Sequence, residues 1–279
     1  MKTILAPTDF SRNSDNAITF IMELNKLLKA KVILFHAYLM PVLASDIPVL
    51  MPSDEELKKE AMKNIWSLKE KLQLEFPDAD IETMLSEGYA EDEITLVCAS
   101  KKADLVVMGT QGSSGLHEVL IGSITAAVME DAECPVLAIP EKTQFKGLNK
   151  IVFATNYADN DIENVDQVIH LARKVDAEVI LLHVSSRELD TAYEYAAIET
   201  FKESVKKESH YEKVSFKLLE SSDVIEGLNF YLDEIRADMI VMSMHHRTFF
   251  QKIFNRSKTK RMAFHTHIPL LAFHAESRN

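Results

Sequence analysis

The sequence predicts an α/β fold built twice, as two tandem, doubly wound, five-stranded parallel sheets. Three observations lead there. The chain has 279 residues, which at roughly 150 residues per domain suggests two domains. Four sequence blocks recur in the same order. Within each copy, short apolar runs alternate with longer segments of helical period, the pattern of buried parallel strands covered by helices on both faces.

The recurring blocks are specific. KTILAPTD at 2–9 matches KIVFATNY at 150–157, and KVILFHA at 31–37 matches EVILLHV at 178–184; both pairs are offset by 147 positions. ADLVVM at 103–108 matches ADMIVM at 237–242, and CPVLAI at 134–139 matches IPLLAF at 268–273; these are offset by 134. The drop of 13 means the first copy carries extra residues, and 39–53, with Pro41, Pro48 and Pro52, is the place expected for them. A tandem duplication follows. The first unit is expected at 1–141 and the second at 149–275, joined by the polar stretch 141–149 that contains Gly147.

Taken in order, strands are expected at 3–6, 31–37, 81–85, 105–108 and 136–139. Helices are expected at 13–29, 54–74, 91–102 and 124–132. Ile18, Ile21, Met22, Leu24 and Leu28 fall toward one side of the first helix. Leu57, Ala61, Ile65, Leu68 and Leu72 keep the three-to-four spacing of the second. Ser53 followed by Glu56 reads as a capping box for it. The second copy repeats the order, with strands near 150–155, 178–184, 214–219, 238–242 and 269–273.

Composition narrows the function classes. Apolar residues make up 47% and charged residues 27%, enough apolar surface to offset the entropy of ordering. The net charge of −12 argues against sequence-independent nucleic-acid binding, which needs a cationic face to displace counterions. Cys98 and Cys134 cannot form a disulfide framework or a four-thiolate zinc site, and their apolar surroundings predict buried free thiols. No apolar run reaches the ~20 residues of a membrane span. Pro7 and Asp9 stand where a signal peptide needs its apolar stretch, so a cytoplasmic location is expected.

Glycines mark a site. Of seven in the chain, Gly109, Gly112, Gly115 and Gly122 lie within fourteen positions. Gly109 follows the fourth strand, and Ser123 is expected to cap the helix beginning at Ile124. A glycine-rich loop between a strand's carboxyl end and a helix N-terminus lets main-chain N–H groups approach an anion closely. A P-loop is excluded, because no lysine occurs between Lys102 and Lys142. The dinucleotide fingerprint GxGxxG is absent as well.

Gly109-Thr110-Gln111-Gly112, nine residues, then Gly122-Ser123 resembles the universal stress protein motif G-x2-G-x9-G-[ST]. Pro7-Thr8-Asp9-Phe10-Ser11, Phe35-His36-Ala37 and Cys134-Pro135-Val136-Leu137 are similar to that family's first, second and last strands. The resemblance covers essentially the whole chain as two copies. It implies a Rossmann-like fold of the adenine-nucleotide alpha hydrolase type. It also implies a site for ATP, or ADP or AMP, with Mg as the accompanying metal. By position, Ala37 would offer its backbone to adenine, and Pro7, Thr8 and Met108 would wall the base. Asp9 would reach the ribose or the metal–phosphate region, and Gly109 would lie against the ribose. Gly112, Gly122, Ser123 and Ile124 would hold phosphates. The family further implies a homodimer through the last strand or, in a tandem chain, pairing of the two copies with each other.

The second copy is expected to have lost this site. Ser243 stands for Gly109, His246 for Gly112, Arg256 for Gly122 and Asn156 for Asp9, so a closed cleft and one nucleotide per chain are anticipated. Arg247, Lys252, Arg256, Lys258, Lys260 and Arg261 form a basic run with no acid from Met239 to Ala275. His245, His246, His265, His267 and His274 are weak candidates for a zinc site. His36 and His183 recur at strand ends, which favours packing or a structural hydrogen bond.

Near the glycine loop, Asp9, Ser113, Ser114, His117, Glu118 and Ser123 make no triad or nucleophile elbow. Three functions therefore stand: a nucleotide-binding stress or regulatory protein, with slow ATP hydrolysis at most; a phosphotransfer or hydrolase enzyme; and an interaction scaffold that uses no nucleotide.

Overall fold

The computed structural model describes residues 1–39, 53–110, 121–157, 161–185, 192–244 and 268–274. The first copy runs β1 (Thr3–Pro7), α1 (Arg12–Leu28), β2 (Lys31–Tyr38), α2 (Asp54–Glu75), β3 (Ile81–Glu87), α3 (Ala90–Lys101), β4 (Leu105–Gly109), α4 (Ser123–Asp131) and β5 (Val136–Ile139). The second runs β6 (Lys150–Ala154), α5 (Asp161–Val175), β7 (Glu178–Ser185), α6 (Ala192–Ser209), β8 (Val214–Glu220), α7 (Val224–Ile235), β9 (Met239–Ser243) and β10 (Leu270–Phe273). Every strand foreseen from the alternation is present, and the capping box of Ser53 and Glu56 forms at the start of α2.

The two copies pair with each other through their last strands, as the resemblance implies. They share one ten-stranded sheet in the order β3-β2-β1-β4-β5-β10-β9-β6-β7-β8. Pairing is parallel throughout each copy. At the centre β5 and β10 run antiparallel, with Leu270, Leu271 and Ala272 opposite Ala138, Leu137 and Val136. The physical reason lies in β5 itself. All four of its residues are buried, so an open edge there would leave ladder N–H and C=O groups without water or partner. The edge is filled by the chain's own β10.

Side chains alternate across this sheet. Ile4, Ala6, Leu105 and Val107 face one layer, with α1, α2, α5 and α6 packed on it; Leu5, Val106 and Met108 face the other, with α3, α4 and α7. Each layer draws residues from both copies, so the apolar core is continuous through the central seam. Cys98 and Cys134 sit in the second layer as free, buried thiols whose Sγ atoms are 2.7 Å apart. The contact with Cys98, together with burial, pushes the Cys134 thiol up, and the same contact holds Cys98 below its ordinary value. The connector is tied down. Asn16 Nδ2 donates to the carbonyls of Pro140 and Thr143, and Phe145 packs edge-on against Phe20. Gly147 has φ +96, a left-handed conformation that suits glycine.

The repeat extends to backbone detail. Phe10 and Tyr157, Lys29 and Asp176, and Lys102 and Arg236 are equivalent pairs, and all six adopt positive φ without glycine. Asp104 accepts from the backbone N–H groups of Lys2 (2.6 Å) and Thr3 (2.8 Å). Its counterpart Asp238 accepts from Asn149 (2.7 Å) and Lys150 (2.9 Å). Each carboxylate thus anchors the first strand of its copy. Partial burial works against the charged form of Asp104, but the two N–H donors outweigh it and hold the carboxyl below the usual range. Among the described residues, no helix is long and apolar enough to cross a membrane.

A carboxyl lowered in the folded state adds stability above its unfolded value, and that stability is lost as pH falls through the folded value. Asp104→Asn is therefore expected to lower the unfolding free energy at pH 7 by less than about 1 kcal/mol, because the group is exposed. The difference from the parent should shrink below pH 3.8. Urea titrations at pH 7 and pH 3 check both statements.

Candidate functional site

The strand order reverses between β1 and β4, the position where ligands enter open α/β sheets at the strands' carboxyl ends. A cleft of 330 Å3 opens there. Its floor is Pro7, Thr8 and Asp9 after β1, Phe35, His36 and Ala37 at the end of β2, and Met108 and Gly109 at the end of β4. The N-terminus of α4 closes one side with Gly122, Ser123, Ile124 and Thr125. Of the ten residues the sequence assigns to a site, nine line this one cleft. The tenth, Gly112, lies outside the described residues, as do Ser113, Ser114, His117 and Glu118.

The floor is held by short local bonds. Phe10 takes φ +59 and turns the chain sharply after Asp9. Its N–H donates to Thr8 Oγ1, which also lies 3.1 Å from Ser14 Oγ. Asp9 Oδ1 accepts from the Ser11 N–H at 3.1 Å, an Asx turn that leaves the carboxylate at the cleft's exposed rim. His36 Nδ1 lies 2.7 Å from the Thr8 carbonyl, so that nitrogen is the donor, and its ring rests on Phe10. The repeat of this arrangement at His183 and Thr155 (2.8 Å) agrees with a structural role for both histidines.

One local expectation is corrected. Ser123 does not cap α4. The cap is Gly122, with φ −64 and ψ 158, and among the described residues no side chain caps the helix. Gly122 N–H donates to the Thr110 carbonyl, and the helix begins at Ser123, one residue before the expected boundary. Ser123, Ile124 and Thr125 are the first helical residues, and their N–H groups precede the first intrahelical bond, from Ala126 to the Gly122 carbonyl. An uncapped helix start facing a cleft favours a bound anion.

Gly109 also has a packing reason to be glycine. A Cβ there would stand 3.0 Å from the Asn13 carbonyl oxygen, on α1 rather than in the cleft. The same geometry corrects the expectation for Ser243, which does not fill the second copy's cleft; His246 and Arg256, the other residues expected to close it, lie outside the described residues. Ser243 turns its hydroxyl to α5, accepting from Asn164 Nδ2 at 2.9 Å. A cavity of 250 Å3 persists beside it. The basic run 247–261 and His245, His246, His265 and His267 lie outside the described residues.

Ser14, Phe35, His36, Ala90, Ile94 and Thr125 also line the cleft and were not assigned to it from sequence. For two of them the repeat held a signal: Ala90 and Ile94 correspond, at the offset of 134, to Val224 and Leu228 of the second cavity. Among the described residues, no group of three or more metal-ligating side chains occurs.

Comparison with known proteins agrees with this architecture. The family model described as "Universal stress protein family" matches residues 1–140 and again 147–274. The chain belongs to the universal stress protein family. Universal stress protein MJ0531 of Methanocaldococcus jannaschii is 34% identical over 145 residues, covering 50% of this chain and 81% of the relative. Universal stress protein Sll1654 of Synechocystis is 32% identical over 142 residues, covering 50% of this chain and 85% of that protein. Among solved structures, a universal stress protein from Archaeoglobus fulgidus aligns over 99% of this chain and 97% of its own, with TM-score 0.67 and 18% identity. One described as a putative universal stress protein from Pseudomonas aeruginosa aligns over 98% and 93%, with TM-score 0.61 and 14% identity. At such identities the structural likeness speaks to the fold alone. It shows that this tandem universal stress protein shares its whole-chain arrangement with others.

Gly109→Ala is expected to destabilise the chain by about 1–3 kcal/mol, because the added methyl meets α1 backbone that cannot swing aside. Ser243→Ala, which removes a hydroxyl from a buried pair with Asn164, should cost about 1–2 kcal/mol. Urea unfolding of the two variants beside the parent measures both.

Proposed function

We propose that the N-terminal cleft binds an adenine nucleotide, ATP foremost, one per chain, and that the chain acts in stress response through its nucleotide-loaded state. One observation carries the reading: the uncapped N-terminus of α4 faces a cleft whose opposite wall is apolar. A polyphosphate needs the first, and a purine needs the second. Phosphates would take the N–H groups of Ser123 and Ile124, with the Ser123 hydroxyl as a further donor and Gly112 completing the cradle. The base would lie against Pro7, Thr8 and Met108 and meet the backbone of Ala37. Gly109 would lie against the ribose.

Asp9 is the one carboxylate among the described residues of this cleft. A magnesium ion there would be held mainly by phosphate oxygens and water, with Asp9 as its single protein carboxylate. Asp9 is also tied into the turn through Ser11, which fits a positioning group better than a mobile general base. Hydrolysis is accordingly slow, and binding is the activity that matters. The family, the fold and the absence among the described residues of a membrane-spanning helix are all compatible with a protein that works in the cytoplasm by binding partners.

Denaturing the purified chain and identifying what is released should give close to one adenine nucleotide per chain. Gly122→Val should abolish that binding without loss of fold, since φ −64 and ψ 158 suit any L residue and the new side chain would stand at the phosphate end. Calorimetric titration with ATP, with circular dichroism as the folding control, tests it. A stoichiometry near two, or unchanged affinity in the variant, contradicts the assignment.

A further inference from the structure

Among the described residues, the lining of the second cavity is a register-matched copy of the first with one charge moved. Its eleven lining residues all correspond to residues of the N-terminal cleft, at offsets of 147 or 134. Thr155 stands for Thr8, Leu182 for Phe35, Val184 for Ala37 and Met242 for Met108. The apolar walls are therefore kept. The acid is not where it was. At the exposed rim Asp9 becomes the amide Asn156, and in the interior the hydroxyl of Ser14 becomes the carboxylate of Asp161.

Asp161 is 1% exposed. Its Oδ2 accepts from Thr155 Oγ1 at 2.7 Å. Its Oδ1 is buried and has no hydrogen-bond partner among the described residues. A buried carboxylate oxygen without a donor is costly, and a native fold keeps one where something supplies the donor. Asp161 lines a cavity whose other described residues are mostly apolar, with Thr155, Asn156, His183 and Ser243, the last already accepting from Asn164, as its remaining polar side chains. His183 cannot help from its inner nitrogen, which is spent on the Thr155 carbonyl. Tyr157 stacks on the His183 ring at 5.1 Å, and burial, with the Glu199 charge, pushes its phenol up to about 12, so it stays neutral.

We propose that the C-terminal cavity is a second ligand site, selective for a small organic cation: an ammonium or amidinium group, paired with Asp161, on an apolar body that fills the former base pocket. A polyphosphate would bring negative charge against that carboxylate and is refused. The inference goes beyond the nucleotide reading of the N-terminal cleft and stands whether or not that cleft takes ATP.

The test uses the full chain and two probes of one shape, tryptamine and its neutral counterpart tryptophol. Calorimetry should find one tryptamine per chain, with tryptophol about tenfold weaker or worse, the fold-change of one charge-assisted hydrogen bond. Chemical shifts of Leu182, Val184 and Met242 should move, and ATP should not displace the probe. In Asp161→Asn the two probes should bind within about twofold of each other. In Val184→Phe, which fills the cavity from a strand end, neither should bind. Absence of tryptamine binding, equal affinity for the two probes in the parent chain, displacement by ATP, or a preference that survives Asp161→Asn each overturns the proposal. The contrast between the probes on the parent chain decides even if a variant fails to fold.

Discussion

The structure depends on one seam, the antiparallel pairing of β5 with β10. A parallel sheet built from β-α units has both faces covered by its own helices but leaves its last strand bare on one side. Here that strand is four apolar residues, all buried. Hydrogen bonding to β10 satisfies its backbone and lets the two apolar layers run unbroken from one copy to the other. The connector is then free to be polar and short, held by Asn16 and Phe145 rather than by a core of its own.

Within each copy the strand order puts a cleft at the carboxyl ends of β1 and β4, or of β6 and β9. The same small devices hold both clefts open. A residue with positive φ follows the first strand, a threonine hydroxyl receives its N–H, and a histidine on the second strand is fixed to the threonine carbonyl. None of these devices requires a ligand, so the scaffold is indifferent to what occupies it. Specificity rests with the few positions that the scaffold does not use: Ser14 or Asp161, Asp9 or Asn156, and the residues that begin the helix after the glycine loop.

Most of the fold was legible because its signals are local. Period-two and period-three-to-four runs, the Ser53 and Glu56 box, and the repeated blocks each report on a few neighbouring residues. The junction of the sheets was legible only through the family resemblance, since nothing in VLAI or LLAF itself says which strand lies alongside or in which direction. The cleft floor was legible at Pro7, Thr8, Asp9, Ala37, Met108 and Gly109 because those residues sit at strand ends. Ser14 was missed because it lies inside a helix and reaches the cleft only through the turn at Phe10. The part of the expected closure that rested on Ser243 failed for a related reason. A substitution at Gly109's position was read as filling the ligand space, whereas the bond from Cα there is aimed at the neighbouring helix.

Covalent union at the seam has a consequence for how the two halves can change. In a symmetric pair of identical chains, any exchange of one amino acid alters both pockets at once, so neither can drift while the other is kept. Here each lobe is encoded separately yet remains welded to its sibling. The acidic side chain could migrate inward in one lobe and stay at the mouth in the other, with no subunit having to recognise an altered mate.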